Sequence, residues 1–97
     1  VSDPAATETV ARRLVAHGFV QGVNFRAWVR DRAEPRGLVG WAANHDDGSV
    51  EVFLQGAPDA VAAVERAICD GPPHARVDRV DTEDAEPRGG LSSFERR

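Results

Sequence analysis

Leu38-Val39-Gly40-Trp41-Ala42-Ala43-Asn44-His45-Asp46-Asp47-Gly48-Ser49-Val50-Glu51-Val52-Phe53-Leu54-Gln55 reads as two strands about a turn, and this hairpin decides the fold. Asp46-Asp47-Gly48 is a strong hairpin signal, because aspartate and glycine supply the backbone angles a tight reversal needs. Ser49 to Gln55 alternates with period two, which predicts Val50, Val52 and Leu54 facing inward and Glu51, Phe53 and Gln55 on the opposite side. Working outward, each arm of the hairpin meets a helix. Phe25, Trp28, Val29 and Ala33 share one helical face over about residues 23–34, and Pro35 and Gly37 stop that helix. On the other side Pro58-Asp59 opens a second helix with an apolar stripe of Ala57, Val61, Val64 and Ile68, broken at Asp70-Gly71-Pro72-Pro73.

Two outer segments complete the pattern. Thr9 to His17 is extended in character and forms the first strand; residues 75–82 alternate imperfectly among charges and read as an edge strand. After the polar residues 83–90, a short strand is expected around residues 93–96. The order is βαββαβ plus a short terminal strand, an α+β, ferredoxin-like split βαβ sandwich with two helices on one face of an antiparallel sheet. Residues 1–8 are small, polar and proline-containing and read as a flexible N-terminal tail before a single domain over 9–97. The tail and the complete closing strand favour a stand-alone chain over a module cut from a larger protein.

Topology has a functional consequence. The first two strands run the same way, with the third antiparallel between them. The loop after the first strand and the end of the second therefore emerge on one sheet edge, roughly 10 Å apart. Residues 18–26 and the tip around Asn44 can face one small ligand.

Composition excludes several chemistries. Of 97 residues, 12 are Lys or Arg and 16 are Asp or Glu, for a net charge of −4, and every cation is arginine. Without lysine there is neither Schiff-base catalysis nor a Walker-type phosphate loop. A single cysteine, Cys69, excludes an internal disulfide and a cysteine-based zinc site, and its expected role is a small buried side chain near a helix end. His17, His45 and His74 match no helical metal-ligand spacing, so no metal and no cofactor are expected. No apolar run approaches the ~18 residues a membrane span requires. The chain reads as cytoplasmic, and with no apolar surface stripe, as a monomer.

Charge is uneven along the chain. Arg12, Arg13, Arg26, Arg30, Arg32 and Arg36 stand against Asp31 and Glu34, whereas residues 59–86 are strongly acidic. Either this is a patchwork of solvated faces, or the first third supplies a positive field for a small anion. A nucleic-acid surface is disfavoured by the negative net charge and by an aromatic content of 6%.

The loop Gly18-Phe19-Val20-Gln21-Gly22-Val23 can do chemistry. A chain turning sharply from strand to helix exposes consecutive N–H groups, and with the free donors of the helix start they form an anion nest. Arg26, one turn into the helix, can add a planar two-pronged grip on an oxyanion. On the residues alone a plain connecting turn with a surface arginine remains open, and Asn44 can be read as a turn former. Gln21 reads as a loop stabiliser, Trp28 and Trp41 as packing, Asp46 and Asp47 as turn formers.

Val20-Gln21-Gly22-Val23-Asn24-Phe25-Arg26 resembles the Val-Gln-Gly-Val-x-Phe-Arg signature of the acylphosphatases, and residues 40–51 resemble that family's Gly-Trp-x-x-Asn-x-x-Asp-Gly-x-Val-Glu. Gly71-Pro72-Pro73, Ala75-Arg76-Val77 and Phe94 also fall where the family has similar residues, so the resemblance covers about residues 10–97. It implies hydrolysis of the carboxyl–phosphate bond of a small-molecule acyl phosphate, with inorganic phosphate or sulfate as competing anions. It also implies that Gly18, Phe19, Val20, Gln21, Gly22, Val23 and Arg26 bind the phosphate, and that Asn44 positions the attacking water, with Arg26 and Asn44 the catalytic pair. Phe19, Asn24, Pro35 and Ala42-Ala43 depart from the common pattern. Two other classes compete with the enzyme: a non-catalytic anion-binding regulatory module of the same fold, which has no use for Asn44, and an interaction or RNA-binding domain on the open sheet face, for which Phe53 is the one aromatic candidate.

Overall fold

Strand β1 (Val10–Phe19) buries Leu14 and Ala16 on one face and Ala11 on the other, and it is an interior strand of the sheet, next to one edge. The computed structural model describes residues 8–97, so the expected N-terminal tail lies outside the described residues except for Glu8. After β1 come helix α1 (Phe25–Ala33), a 3-10 turn (Glu34–Arg36), β2 (Val39–Asn44), β3 (Val50–Gly56), α2 (Pro58–Asp70), β4 (Arg76–Ala85) and β5 (Phe94–Arg96). The sheet order is β4-β1-β3-β2-β5. All pairings are antiparallel except β2 with β5, which is parallel, so the sheet is mixed where an antiparallel one was expected. The chain must cross from β4 at one edge to β5 at the other, and residues 86–93 make that crossing.

Both helices cover one face. Phe25, Val29 and Ala33 of α1 and Val61, Val64 and Ile68 of α2 share a core with Leu14, Ala16, Val50, Val52, Leu54 and Phe94. Each such aliphatic or aromatic side chain, fully removed from water, contributes about 1.5–3 kcal/mol before the ordering entropy is counted. On this face Arg12 reaches across to Glu65 of α2, with Nε and Oε1 2.8 Å apart.

Phe53 lies on the face opposite Val50, Val52 and Leu54, as the alternation predicts, where the interaction-domain alternative needed it exposed. Phe53 is instead 1% exposed, stacked on Trp41 with ring centroids 4.5 Å apart. The crossing segment covers it. Gln55 clamps that segment, accepting from the Arg88 N–H at 2.7 Å and donating to the Arg88 carbonyl at 2.9 Å. The Arg88 guanidinium then lies 4.9 Å from the Trp41 centroid and 5.2 Å from that of Phe53. This second small core removes the aromatic platform an RNA-binding reading required.

Cys69 also differs from expectation: it is exposed. Ile68 is the last buried position on α2, and one residue further turns the side chain about 100° around the helix, off the apolar stripe. The edge strand β4 runs to Ala85, longer than predicted, and carries Arg76–Asp78 and Arg79–Asp81 ion pairs on its exposed positions. Such charges on an edge discourage pairing with another chain.

Candidate active site

The end of β1 shapes the turn that follows. Its pairing with β4 shifts register between His17 and Gly18, and Gly18 has φ 131°. A side chain there would collide with the carbonyl oxygen of Arg76, so this glycine serves the contact between the two strands. Gly18 and Phe19, expected in the anion cradle, are the last residues of β1 and do not line the cleft described below. Val20 is buried and anchors the turn.

From there the chain reverses tightly. Gly22 (φ 78°) and Asn24 (φ 63°) both adopt left-handed angles, and Asn24 is the only non-glycine residue with positive φ among the described residues. Alternating handedness makes successive N–H groups converge into a concavity. Helix α1 starts directly behind it with no side-chain cap and no acid in its first turn. The first helical bond runs from the Trp28 N–H to the Asn24 carbonyl at 3.0 Å, which leaves the earlier donors of the helix free for a ligand.

Gln21 fixes the turn to the hairpin. Its side-chain amide donates to the main-chain carbonyls of His45 at 2.7 Å and of Ser49 at 2.9 Å, which bears out its reading as a stabiliser. The hairpin tip is itself braced. Asp47 accepts from the Ser49 N–H at 2.9 Å and from its hydroxyl, and these bonds hold the Asp47 carboxyl below its ordinary value. Beneath the tip, Glu51 accepts from Arg13 (2.9 Å), Trp41 Nε1 (3.2 Å) and His45 Nε2 (2.9 Å). Burial pushes the Glu51 carboxyl up, but these bonds and the Arg13 charge outweigh it, so the group stays below its ordinary value. Asn44, the last residue of β2, is thereby held against the same turn.

Arg26 sits in the first turn of α1 and donates to the main-chain carbonyl of Arg97. That carbonyl is placed by β5, since the Arg97 N–H donates to the Ala42 carbonyl at 2.8 Å. Val20 to Ala27 and Asn44 line a single cleft of about 690 Å³. Arg26 and Asn44 therefore open on the same space, together with most of the predicted cradle. His74 and Arg96 line it too, and neither was singled out from the sequence. The neighbouring Gly71-Pro72-Pro73 was read as a helix breaker and as part of the family resemblance, neither of which points to His74, and the register that sets Arg96 beside Ala42 depends on the parallel β2–β5 pairing. No wall residue is acidic. Free helix donors, two arginines on the wall and no acidic side chain suit a small oxyanion.

Comparison with known proteins agrees. The sequence model of the family described as Acylphosphatase matches residues 12–96. The acylphosphatase of Rubrobacter xylanophilus is 43% identical over 93 residues, covering 96% of this chain and 84% of that protein. That of Thiobacillus denitrificans is 48% identical over 84 residues, covering 87% and 92%. Among solved structures, the crystal structure of acylphosphatase from Bacillus subtilis superposes with a TM-score of 0.86 at 32% identity, covering 91% of this chain and 98% of that one. With a family match along almost its whole length and this shared fold, the chain belongs to the acylphosphatase family.

Proposed function

We propose that this chain hydrolyses acyl phosphates to a carboxylate and inorganic phosphate in the cleft between the 20–27 turn and Asn44. The observation that carries the reading is that the uncapped start of α1, Arg26 and Asn44 share one cleft without an acid on its walls. In this reading the N–H groups of residues 20–23 and of the first turn of α1 hold the phosphoryl oxygens, and the Arg26 guanidinium grips them with two parallel bonds. Its hydrogen bond to the Arg97 carbonyl pre-sets the guanidinium plane. Asn44 orients a water in line with the bond to be broken, and such alignment lowers a barrier by several kcal/mol.

Few groups suffice because the substrate is activated. The leaving group is a carboxylate whose conjugate acid has a pKa of about 4, so no general acid is needed. Phosphoryl transfer is chiefly positioning and charge stabilisation. A phosphoryl oxygen accepts the proton of the attacking water. Inorganic phosphate and sulfate, which fit the same donors, compete with substrate. The enzyme is read further as a cytoplasmic monomer. Phe19 is the one exposed large hydrophobic side chain, and no helix is long and apolar enough to cross a membrane, both among the described residues.

The test uses benzoyl phosphate, with a phosphate monoester as control. The acyl phosphate is turned over and the monoester is not; equal rates would remove the leaving-group argument. Asn44→Ala lowers kcat by about 10²–10³ while inhibition by inorganic phosphate stays within about threefold, the pattern of lost water alignment with the anion cradle intact. A purely anion-binding module would show phosphate binding and no turnover in either protein.

A further inference from the structure

The cleft has two ends, and the sheet order tells them apart. The 20–24 turn continues β1. In the order β4-β1-β3-β2-β5, Asn44 and Arg96 come from strands on one side of β1, whereas His74 precedes β4 on the other. His74 is held there by local chemistry. The Ala75 N–H donates to the Pro72 carbonyl at 3.0 Å, closing a turn whose central residues are Pro73 and His74. Proline at the first central position pre-sets the backbone, and Pro72 is buried, so the imidazole is displayed on a rigid support.

In-line displacement demands that water and leaving group occupy opposite sides of phosphorus. If Asn44 aims the water, the acyl group points the other way. From this we infer that His74 marks the acyl side of the cleft and recognises substrates whose acyl part carries a second anionic group, a carboxylate or a phosphate. The inference rests on the hydrolytic reading above. The water oxygen bonds to phosphorus, the bridging oxygen departs with the bonding pair as the carboxylate, and the proton passes to the phosphoryl group. His74 takes no proton in this scheme. Its ring N–H donates to the distant anion, which it can do whether the ring is neutral or protonated. The volume supports a ligand larger than phosphate: about 690 Å³ lies within the usual range for a whole small-molecule site. The walls hold no carboxylate that would repel a second anion.

The experiment measures kcat/KM for 4-carboxybenzoyl phosphate relative to benzoyl phosphate, which differ by one remote carboxylate. The wild-type chain prefers the carboxylated substrate about fivefold, His74→Ala brings that ratio close to one chiefly through KM, and His74→Arg restores or raises it, because a single exposed charge contact is worth about 1 kcal/mol. Arg96→Gln, on the water side, leaves the ratio as it is in the wild type. A ratio that stays constant across the His74 variants, or one that follows Arg96 in place of His74, overturns the assignment. Failure to hydrolyse benzoyl phosphate at all would instead sink the hydrolytic reading, so the two failures are distinguishable.

Discussion

Two helix starts in this molecule follow opposite rules. Helix α2 begins conventionally: Ala57 is extended, Pro58 occupies the first turn and Asp59 places a negative charge at the positive end of the dipole. Helix α1 begins after Asn24 in a left-handed conformation, has no acid in its first turn and carries Arg26 there. A left-handed non-glycine residue costs about 1 kcal/mol, and a cation at this end a further ~0.3–1 kcal/mol. What holds α1 is tertiary: buried Phe25, Val29 and Ala33, the Gln21 bonds to the hairpin and the Arg26 bond to the Arg97 carbonyl. One helix end is arranged for its own stability. The other leaves its first donors unpaired, sets a guanidinium beside the same cleft and relies on its neighbours. Local violations gathered at one place in an otherwise consistent fold mark function.

The sharpest break of that contrast is at Arg26. Arg26→Ala lowers kcat/KM on benzoyl phosphate by at least ~10³-fold, within the range seen when transition-state charge stabilisation is removed. Arg26→Lys loses nearly as much, because an ammonium keeps the charge without the planar fork. Thermal stability barely moves, since taking a cation from the positive end of α1 offsets the lost bond to Arg97. Steady-state kinetics and a melting curve check both halves. A lysine variant within tenfold of wild type would show that charge alone suffices.

A smaller effect is expected where the loop depends on its neighbours. Gln21→Ala leaves the His45 and Ser49 carbonyls without their side-chain donor and costs about 1–2 kcal/mol in urea unfolding. Because the turn and Asn44 are then no longer tied together, kcat falls about tenfold, as small misplacements at a reacting centre do. A loss of stability with kcat untouched would mean that the hairpin and the turn keep their relative positions without Gln21.

Much of this arrangement could be read from the residues. Asp46-Asp47-Gly48 and the alternation of Val50, Val52 and Leu54 located the central hairpin, and two helical stripes placed both helices on its inner face. Topology announced that residues 18–26 and Asn44 share one sheet edge, whereas the roles expected of Arg26 and Asn44 came from the resemblance to the family signatures. Features that failed depend on contacts between distant segments. Phe53 is buried only because residues 86–91, which carry no regular pattern, are clamped across it by Gln55. Gly18 looked like a loop glycine, and the close approach of Arg76 that requires it appears only once β4 is paired. Arg96 entered the cleft through a parallel pairing that three residues of strand cannot announce. The Cys69 error was different in kind: residue-type preference was weighed above a helical period that already put position 69 off the buried stripe.

The smallest effect is at the conventional helix start. Asp59→Asn removes one charge from the first turn of α2 and nearly preserves shape, so it should cost only about 0.3–1 kcal/mol at low ionic strength. The loss should fade in high salt, because the site is exposed and the Debye length shrinks to about 3 Å at 1 M. Urea unfolding at two salt concentrations measures it, and kcat/KM should not change, since α2 begins away from the cleft lining. The comparison also predicts an asymmetry in ligand response. Inorganic phosphate should stabilise the wild type and the Asp59→Asn variant alike, because a ligand raises stability only through the site it binds. If phosphate stabilised the Asp59→Asn variant less than the wild type, the anion would be drawing on the field of both helices, and the division between a structural end and a ligand-binding end would not hold.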